Sequence, residues 1–485
     1  METAAAKAGY EAGLKEYVDR ERAAVDLTNS VGQLMYGRGV ELVFFRNHLL
    51  DISISEVIKL FNYAEQVVKK PIDVHTSADV ARGLLELDLA PSKIDIGKLT
   101  HEYSISGKTS INAFLKDHLS AFIGQDKHTF QPQDVVLYGF GRIGRIAARE
   151  LVKQAGKGQQ LRLRAIVTRT LTDAEIVKRA ALLRNDSVHG AFKGTVIEDV
   201  PNKMLVINGQ QVHLIAAADP EDIDYTIHGI HDALVIDNTG AFTKRADLER
   251  HLKSMGVSKV LLTAPGKEMP NIVYGINHKE VDLDNETIFS AASCTTNAIC
   301  PVLKVVEDEL GIEKGHIETV HAYTNDQNLL DNYHKGPRRG RSAAINMVIT
   351  STGAGTAVAK AIPSLKDKLT ANAVRVPTPN GSLAIMNLTL KKPVKDLAAM
   401  NDLIRNAALV GELVNQIHYQ VDPELVSSDI IGDTCCSVFD SNATIVAPDG
   451  KSVVLYAWYD NEFGYTKQVI RLAKHVTKVR RLVYY

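Results

Sequence analysis

Cysteine is scarce, with four in 485 residues. Two of them, Cys435 and Cys436, are adjacent, and none forms a CxxC pair. A disulfide framework and a metal site are therefore both unexpected, and a reducing compartment is expected. An excess of charge of either sign is also missing. With a net charge of -1 and a pI near 7.0, nothing global draws the chain to nucleic acid or to an anionic membrane. Long apolar runs are absent, and no segment reaches the length of a membrane span. Met1-Glu2-Thr3-Ala4 leads into an alanine- and charge-rich stretch without an apolar signal core. These absences point to a cytoplasmic globular protein. Its length exceeds what one core holds, so two or three domains are expected.

What is there changes character along the chain. From Ala5 to about Gln33 the sequence reads as one helix, with Tyr10, Leu14, Tyr17, Ala24 and Leu27 available for a buried face. Ser53-Ile54-Ser55-Glu56 is a capping box, Ser77 reads as a second N-cap, and Ser110 as a third, before a helix that stops at Gly124. Residues 1–130 are expected to form a mainly helical domain with no constellation of catalytic residues. They serve either as a packing or oligomerisation module or as a regulatory or docking one. Gln125 to Gln133 reads as the linker.

Asp134-Val135-Val136-Leu137-Tyr138 is a buried-strand pattern running into Gly139-Phe140-Gly141-Arg142-Ile143-Gly144 and a helix from Arg145. In this context the first glycine permits a tight turn and the second lets a pyrophosphate approach the backbone. The third lets helix and strand pack closely. A dinucleotide site follows, with the phosphates on the helix N-terminus. The next strand, Leu163 to Thr168, ends at Arg169, where an acidic residue would bind a ribose 2′-hydroxyl. An arginine pairs with a 2′-phosphate instead, which favours NADP or dual NAD/NADP use. The alternative is that Arg169 faces solvent and Asp173 or Glu175 takes the ribose. Further strands at Ala233–Asp237 and Lys259–Thr263 end in small polar residues, making Thr239, Gly240 and Thr263 candidate cofactor contacts.

Ser293-Cys294-Thr295-Thr296-Asn297 follows the apolar run Ile288–Ala292 and precedes a helical stretch from Ala298. Strand, turn and helix place a thiol at a helix N-terminus, where unpaired amides and the helix dipole lower its pKa. The competing reading is a small buried hydrophobe. His321, in a strand-like context, can complete an activated thiol by taking its proton.

Seven blocks occur in an order that resembles the phosphorylating glyceraldehyde-3-phosphate dehydrogenases. They are the GFGRIG segment, Asn185–Gly190, Ser293–Asn297, Thr319–Ala322, Ser351–Ala354, Arg375–Thr378 and Trp458–Tyr465. The resemblance, covering about Asp134 to Val476, implies that Cys294 attacks the aldehyde and His321 acts as the base. It implies an inorganic-phosphate site at Ser293, Thr295, Thr352 and Gly353. Thr324, Asp326, Arg341 and Arg375 would hold the substrate's C3 phosphate, and Asn461 and Tyr465 would orient the nicotinamide. It further implies glyceraldehyde 3-phosphate and inorganic phosphate as substrates and a homotetramer. The basic run Lys335–Arg341 would lie in a loop reaching a neighbouring subunit's cofactor.

The expected architecture is an α/β Rossmann nucleotide-binding domain (131–292 with 460–485) plus an α+β catalytic domain (293–459), preceded by the mainly helical N-terminal domain. Arg169 replaces the family's usual aspartate, and Asn332-Tyr333 stands where strictly NAD-using members carry Leu-Pro. Ala218 stands where many have arginine, and the first 130 residues have no counterpart. Erythrose-4-phosphate oxidation and a regulatory or scaffolding protein on a dehydrogenase body are the rival functions. The intact set Cys294, His321, Arg341 and Arg375 weighs against the second.

Overall fold

The computed structural model describes residues 2–124, 131–153, 156, 158–350 and 352–485, and of residues 2–8 the backbone alone. The chain divides into two compact units. The first comprises Met1–Pro132, Gln154–Gln160 and Val479–Tyr485. The second comprises Gln133–Lys153 and Leu161–Lys478. Most of the expected linker lies outside the described residues, and Gln133 already opens the first strand of the second unit.

Five helices build the first unit: Glu2–Arg38, Ile54–Gln66, Val74–Leu85, Ile96–Ile105 and Ile111–His118. The Ser53–Glu56 capping box forms as its spacing predicts. Ser77 does not cap a helix. Asp73 does so one turn earlier, its carboxylate accepting the Thr76 amide, and Ser77 sits within the helix. Ser110 caps as expected, but the helix ends at His118 and a short 3-10 turn, Ser120–Phe122, follows. In the long first helix Ala24, Leu27, Val31 and Leu34 are buried, whereas Tyr10, Leu14 and Tyr17 are exposed. The helices Ile54–Gln66 and Val74–Leu85 pack against it, and the two tyrosines and Leu14 lie outside the buried stripe.

This unit also holds a four-stranded sheet that helical periodicity did not announce. Its order is Asn47–His48, Glu41–Phe44, Ser92–Asp95 and Leu482–Tyr484. The last strand pairs in parallel with Ser92–Asp95. Residues 479–485 therefore belong here and not with the dinucleotide-binding domain expected for 460–485. Arg481, almost fully buried, donates to the Gly158 carbonyl at 2.9 Å and lies 3.6 Å from Glu41. A hairpin turn at Phe45 and Arg46 adopts positive φ (42° and 75°), which side chains other than glycine disfavour. The buried Asp95 carboxylate holds it, accepting both amides at 2.8 and 3.1 Å.

The second unit carries two large sheets. In one, six parallel strands follow the order Gln210–Ala216, Leu161–Thr168, Gln133–Tyr138, Ala233–Asp237, Val257–Leu262, Ile288–Ser290. Numbered along the chain, that is the 3-2-1-4-5-6 order of a Rossmann sheet. Two antiparallel strands, Met204–Ile207 and Val196–Asp199, extend its edge. Fully buried Val135, Val136, Leu234, Val235 and Leu261 explain the near-continuous apolar runs of its central strands. The other sheet is mixed, with Ile312–Ala322 between a parallel neighbour, Leu369–Val376, and an antiparallel one, Ser382–Leu390. The helix Phe463–Val476 packs on Arg142–Leu151.

One buried ion cluster joins those two helices. Glu150 lies 2.7 Å from Lys467 and 2.5 Å from Lys153. Burial pushes its carboxyl up, but the two ammonium groups outweigh burial and leave it at about 2. A carboxyl depressed in the folded state contributes stability above its unfolded pKa, and that contribution is lost as pH falls through the folded value. Glu150→Gln is therefore expected to cost about 3 kcal/mol in urea unfolding at pH 7. The gap from wild type should shrink as pH falls from about 4.5 toward 2; a gap independent of pH would refute the assignment.

Candidate active site

Ala291 and Ala292 leave the sixth Rossmann strand, and the chain turns into the helix Cys294–Glu309. Ala292 takes positive φ, 54°, a strained conformation for alanine. Three bonds hold the turn. The Tyr465 hydroxyl donates to the Ala292 carbonyl at 2.9 Å, and the Asn297 amide donates to Ala291 and Ser293 carbonyls at 2.8 and 2.9 Å. Ser293 is the N-cap, its oxygen accepting the Thr296 amide at 3.0 Å. Cys294 is thus the first helical residue, half-buried and with its thiol free.

His321 is the penultimate residue of the strand Ile312–Ala322, with its Nε2 3.7 Å from Cys294 Sγ. Its Nδ1 lies 2.6 Å from the Ala322 carbonyl. That carbonyl can only accept, whereas Arg375 Nη1, 2.8 Å from the same nitrogen, can only donate; with the proton on Nδ1, Nε2 turns its lone pair to the thiol. Burial and the neighbouring Arg375 charge push the imidazole down to about 4, so it is a neutral base across the physiological range. Burial also pushes the Cys294 thiol up, against the pull of Arg375, Thr295 and the first helical amides. This corrects the expectation of a lowered thiol pKa: the amides act in the expected direction, and desolvation outweighs them.

The parallel register pairs His321 with Arg375 across neighbouring strands. Arg375 Nη1 donates to the Ala322 carbonyl at 2.9 Å and approaches Thr324 Oγ1 at 3.4 Å. Thr324 donates to Asp326, which is ion-paired with Arg339. Arg339 also reaches Thr350 Oγ1 at 3.3 Å. Two guanidinium groups, a hydroxyl and a carboxylate thus gather beside His321. The Arg375 Nε is buried with no hydrogen-bond partner among the described residues, as a donor waiting for an anion is. Arg341, expected here, is not brought to this cluster. It is 65% exposed and paired with Asp331 at 2.9 Å. Arg339, two residues earlier, takes its place, and sequence gave no sign which arginine of the run would face inward.

The remaining expected residues divide. Ser293 caps the helix through its oxygen and lies 2.7 Å from the Thr296 hydroxyl, and the Thr295 hydroxyl lies buried 3.0 Å from the Tyr459 hydroxyl. Gly353 precedes the helix Ala354–Ala361, which packs on the Cys294 helix, and Thr352 Oγ1 accepts the Ala354 amide. Ser351 lies outside the described residues. Tyr459, Asp186 and Glu462 were not anticipated. The last two hold Arg142 at 2.7 and 2.5 Å.

The glycine-rich segment fits a dinucleotide. Gly139 has φ 97°, and a Cβ on Gly144 would lie 2.4 Å from the Gly139 carbonyl oxygen. On Gly141 a Cβ would meet nothing within 4 Å, leaving that side open to a pyrophosphate. Phe140 is buried and Ile143 half-buried. Because the Arg142 guanidinium is committed, that residue can offer a ligand only its backbone amide. Thr239 and Gly240 are exposed at the end of Ala233–Asp237, Thr239 anchored to Asp237 at 2.7 Å. Thr263 donates to the Asp237 carbonyl at 2.9 Å. Arg169 is exposed at the end of Leu161–Thr168. Asn461 is buried, accepting from Ser382 at 3.1 Å.

Residues 133–245 match the model of the glyceraldehyde 3-phosphate dehydrogenase NAD binding domain, and residues 293–461 match that of its C-terminal domain. A glyceraldehyde-3-phosphate dehydrogenase-like protein of Pseudomonas aeruginosa (strain UCBPP-PA14) is 47% identical over 454 residues, covering 93% of this chain and 98% of its own. An alignment that long reaches well into the helical extension. The glyceraldehyde-3-phosphate dehydrogenase of Clostridium pasteurianum is 40% identical, covering 72% of this chain and 99% of its own. That of Geobacillus stearothermophilus is 41% identical, covering 70% and 97%. A nicotinamide-type dinucleotide domain joined to a thiol–imidazole site defines an oxidoreductase. The chain belongs to the glyceraldehyde-3-phosphate dehydrogenase family.

His321→Asn keeps a polar group on the strand but removes the proton acceptor facing Sγ. Turnover is expected to fall about 10²–10⁴-fold, and iodoacetamide is expected to alkylate Cys294 more slowly at pH 7. An unchanged alkylation profile across pH would remove His321 from thiol activation.

Proposed function

We propose that the protein catalyses the reversible oxidative phosphorylation of glyceraldehyde 3-phosphate to 1,3-bisphosphoglycerate, with NADP or with either dinucleotide. The observation that carries this reading is the 3.7 Å approach of Cys294 Sγ to His321 Nε2 beside the Arg375–Arg339 cluster. His321 Nε2 accepts the thiol proton as sulfur adds to the aldehyde carbon and the C=O π pair moves to oxygen, giving a thiohemiacetal as its oxyanion. Arg375, Arg339 and Thr324 hold the C3 phosphate, with Asp326 orienting Arg339. Arg341 drops out of this set. A nicotinamide dinucleotide, when bound, supplies the two-electron acceptor that converts the thiohemiacetal to a thioester. Inorganic phosphate, held by Ser293, Thr295, Thr352 and Gly353, then attacks the thioester carbonyl. The Cys294 thiolate leaves, and His321 returns the proton.

Gly139, Phe140, Gly141, Arg142, Ile143, Gly144, Thr239, Gly240 and Thr263 would hold the dinucleotide, with Asn461 and Tyr465 at its nicotinamide end. Arg169 is offered as the 2′-phosphate ligand. It has no ion pair or hydrogen bond among the described residues. Of the competing carboxylates, Glu175 is committed, accepting from the Thr170 hydroxyl and the Thr172 amide, both at 2.7 Å. A homotetramer is supported by the segment 325–349, which leaves Leu329, Leu330, Tyr333, Ile345, Met347 and Ile349 more than half exposed. Four free thiols support a cytoplasmic setting.

Two substitutions test the ligand assignments. Arg169→Asp is expected to raise KM for NADP about 10- to 100-fold, the range for losing a charge-assisted hydrogen bond, with little effect on NAD. A wild-type enzyme strongly preferring NAD would overturn the NADP reading. Arg339→Ala is expected to raise KM for the phosphorylated aldehyde by a similar factor, whereas Arg341→Ala leaves it within about twofold. The reverse pattern would restore Arg341 to the site.

A further inference from the structure

Ser382 is fully buried at the start of the strand Ser382–Leu390, antiparallel to Ile312–Ala322 on one side and to Ser452–Tyr459 on the other. Its single hydroxyl meets several groups of the site at once. Oγ accepts the Ala322 amide at 3.0 Å and lies 3.1 Å from Asn461 Oδ1. Tyr459 is the cross-strand partner of Ser382. A serine hydroxyl has one proton and two lone pairs. Ala322 N–H takes one lone pair, and the proton goes to Asn461 Oδ1. The hydroxyl both accepts and donates within the site, and the Asn461 amide is oriented with its NH₂ group away from Ser382.

Ala322 is thereby held through both of its flanking peptides. Its N–H, in the His321–Ala322 peptide, is held by Ser382, and its carbonyl, in the following peptide, accepts from Arg375 Nη1 and lies 2.6 Å from His321 Nδ1. We propose that Ser382 is a positioning residue that couples the histidine base to Asn461. By fixing the His321–Ala322 peptide it holds the backbone that carries the imidazole, with Nε2 toward Cys294, and through the same oxygen it sets the amide at the nicotinamide end of the dinucleotide site. The role of Asn461 rests on the function proposed above; the effect on His321 does not. Charged and titratable groups facing His321 are Cys294, Arg375, Arg339 and Tyr459. Ser382 changes none of their charges, so its effect on the base is geometric.

Ser382→Ala and Ser382→Thr would be compared with Ser437→Ala, which removes an equally buried serine from the same sheet. The first readout is the pH profile of iodoacetamide alkylation at Cys294, located by mass spectrometry. The second is KM for the dinucleotide against kcat with glyceraldehyde 3-phosphate. In Ser382→Ala, alkylation at pH 7 is expected to slow about tenfold with a displaced acid limb, and KM for the dinucleotide to rise by a similar factor. Ser382→Thr, which keeps the hydroxyl, is expected to recover both, and Ser437→Ala to leave both unchanged. An unmoved profile and KM in Ser382→Ala would overturn the proposal, as would the same losses in Ser437→Ala. Should Ser382→Ala fail to fold, Ser382→Cys must shift the profile in the same direction by less, and no shift refutes the role. Failure of glyceraldehyde 3-phosphate as substrate with the alkylation pattern intact would sink the substrate assignment alone.

Discussion

The contact between His321 Nδ1 and the neighbouring Ala322 carbonyl is the constraint on which the site depends. A carbonyl accepts protons and never gives one, whereas Arg375 Nη1, 2.8 Å from the same nitrogen, only donates, so the imidazole is set between backbone and a fixed cation and not by solvent. The backbone geometry is decided by the sheet. Ile312–Ala322 lies between a parallel and an antiparallel neighbour, and those registers deliver Arg375 and Ser382 to its end. Catalytic precision here is inherited from strand pairing, which tolerates no slip without moving a side chain to the other face.

Burial and charge act in opposition across the thiol–imidazole pair. Both groups are driven toward their neutral forms by desolvation, and Arg375 pulls each toward the deprotonated form. Moving one proton from sulfur to nitrogen creates two charges but leaves the pocket's net charge unchanged. A phosphate held on Arg375 would offset that cation at both groups, favouring a protonated imidazole and disfavouring the thiolate. The strain at Ala292 serves the same site, because positive φ there turns the chain sharply enough to place Cys294 on the first helical turn.

The parts of the molecule that sequence revealed are those governed by local chemistry. The GFGRIG segment announces itself because each glycine answers a separate steric demand, and the Ser53 capping box because its partners are three residues apart. Cys294 and His321 stood out through their strand and helix contexts and the family resemblance. What stayed hidden depends on register. Arg339 and Arg341 share one basic run, and only the fold of 325–349 turns one inward and ties the other to Asp331. Tyr459 and Ser382 lie in unremarkable apolar strands, and their hydroxyls gain meaning only when three strands meet. The sheet of the first unit escaped notice because its strands are two to four residues long and its edge is supplied from the far end of the chain.

That borrowed edge has a consequence for biosynthesis. The partner strand for Ser92–Asp95 is made only after the whole second unit has been translated, several hundred residues later. At about 5–20 residues per second the N-terminal sheet waits on the order of tens of seconds with an unpaired edge. Such edges invite pairing with other chains. The first unit to leave the ribosome is thus the last to be completed, and maturation of the N-terminal domain reports that synthesis has run through Leu482–Tyr484.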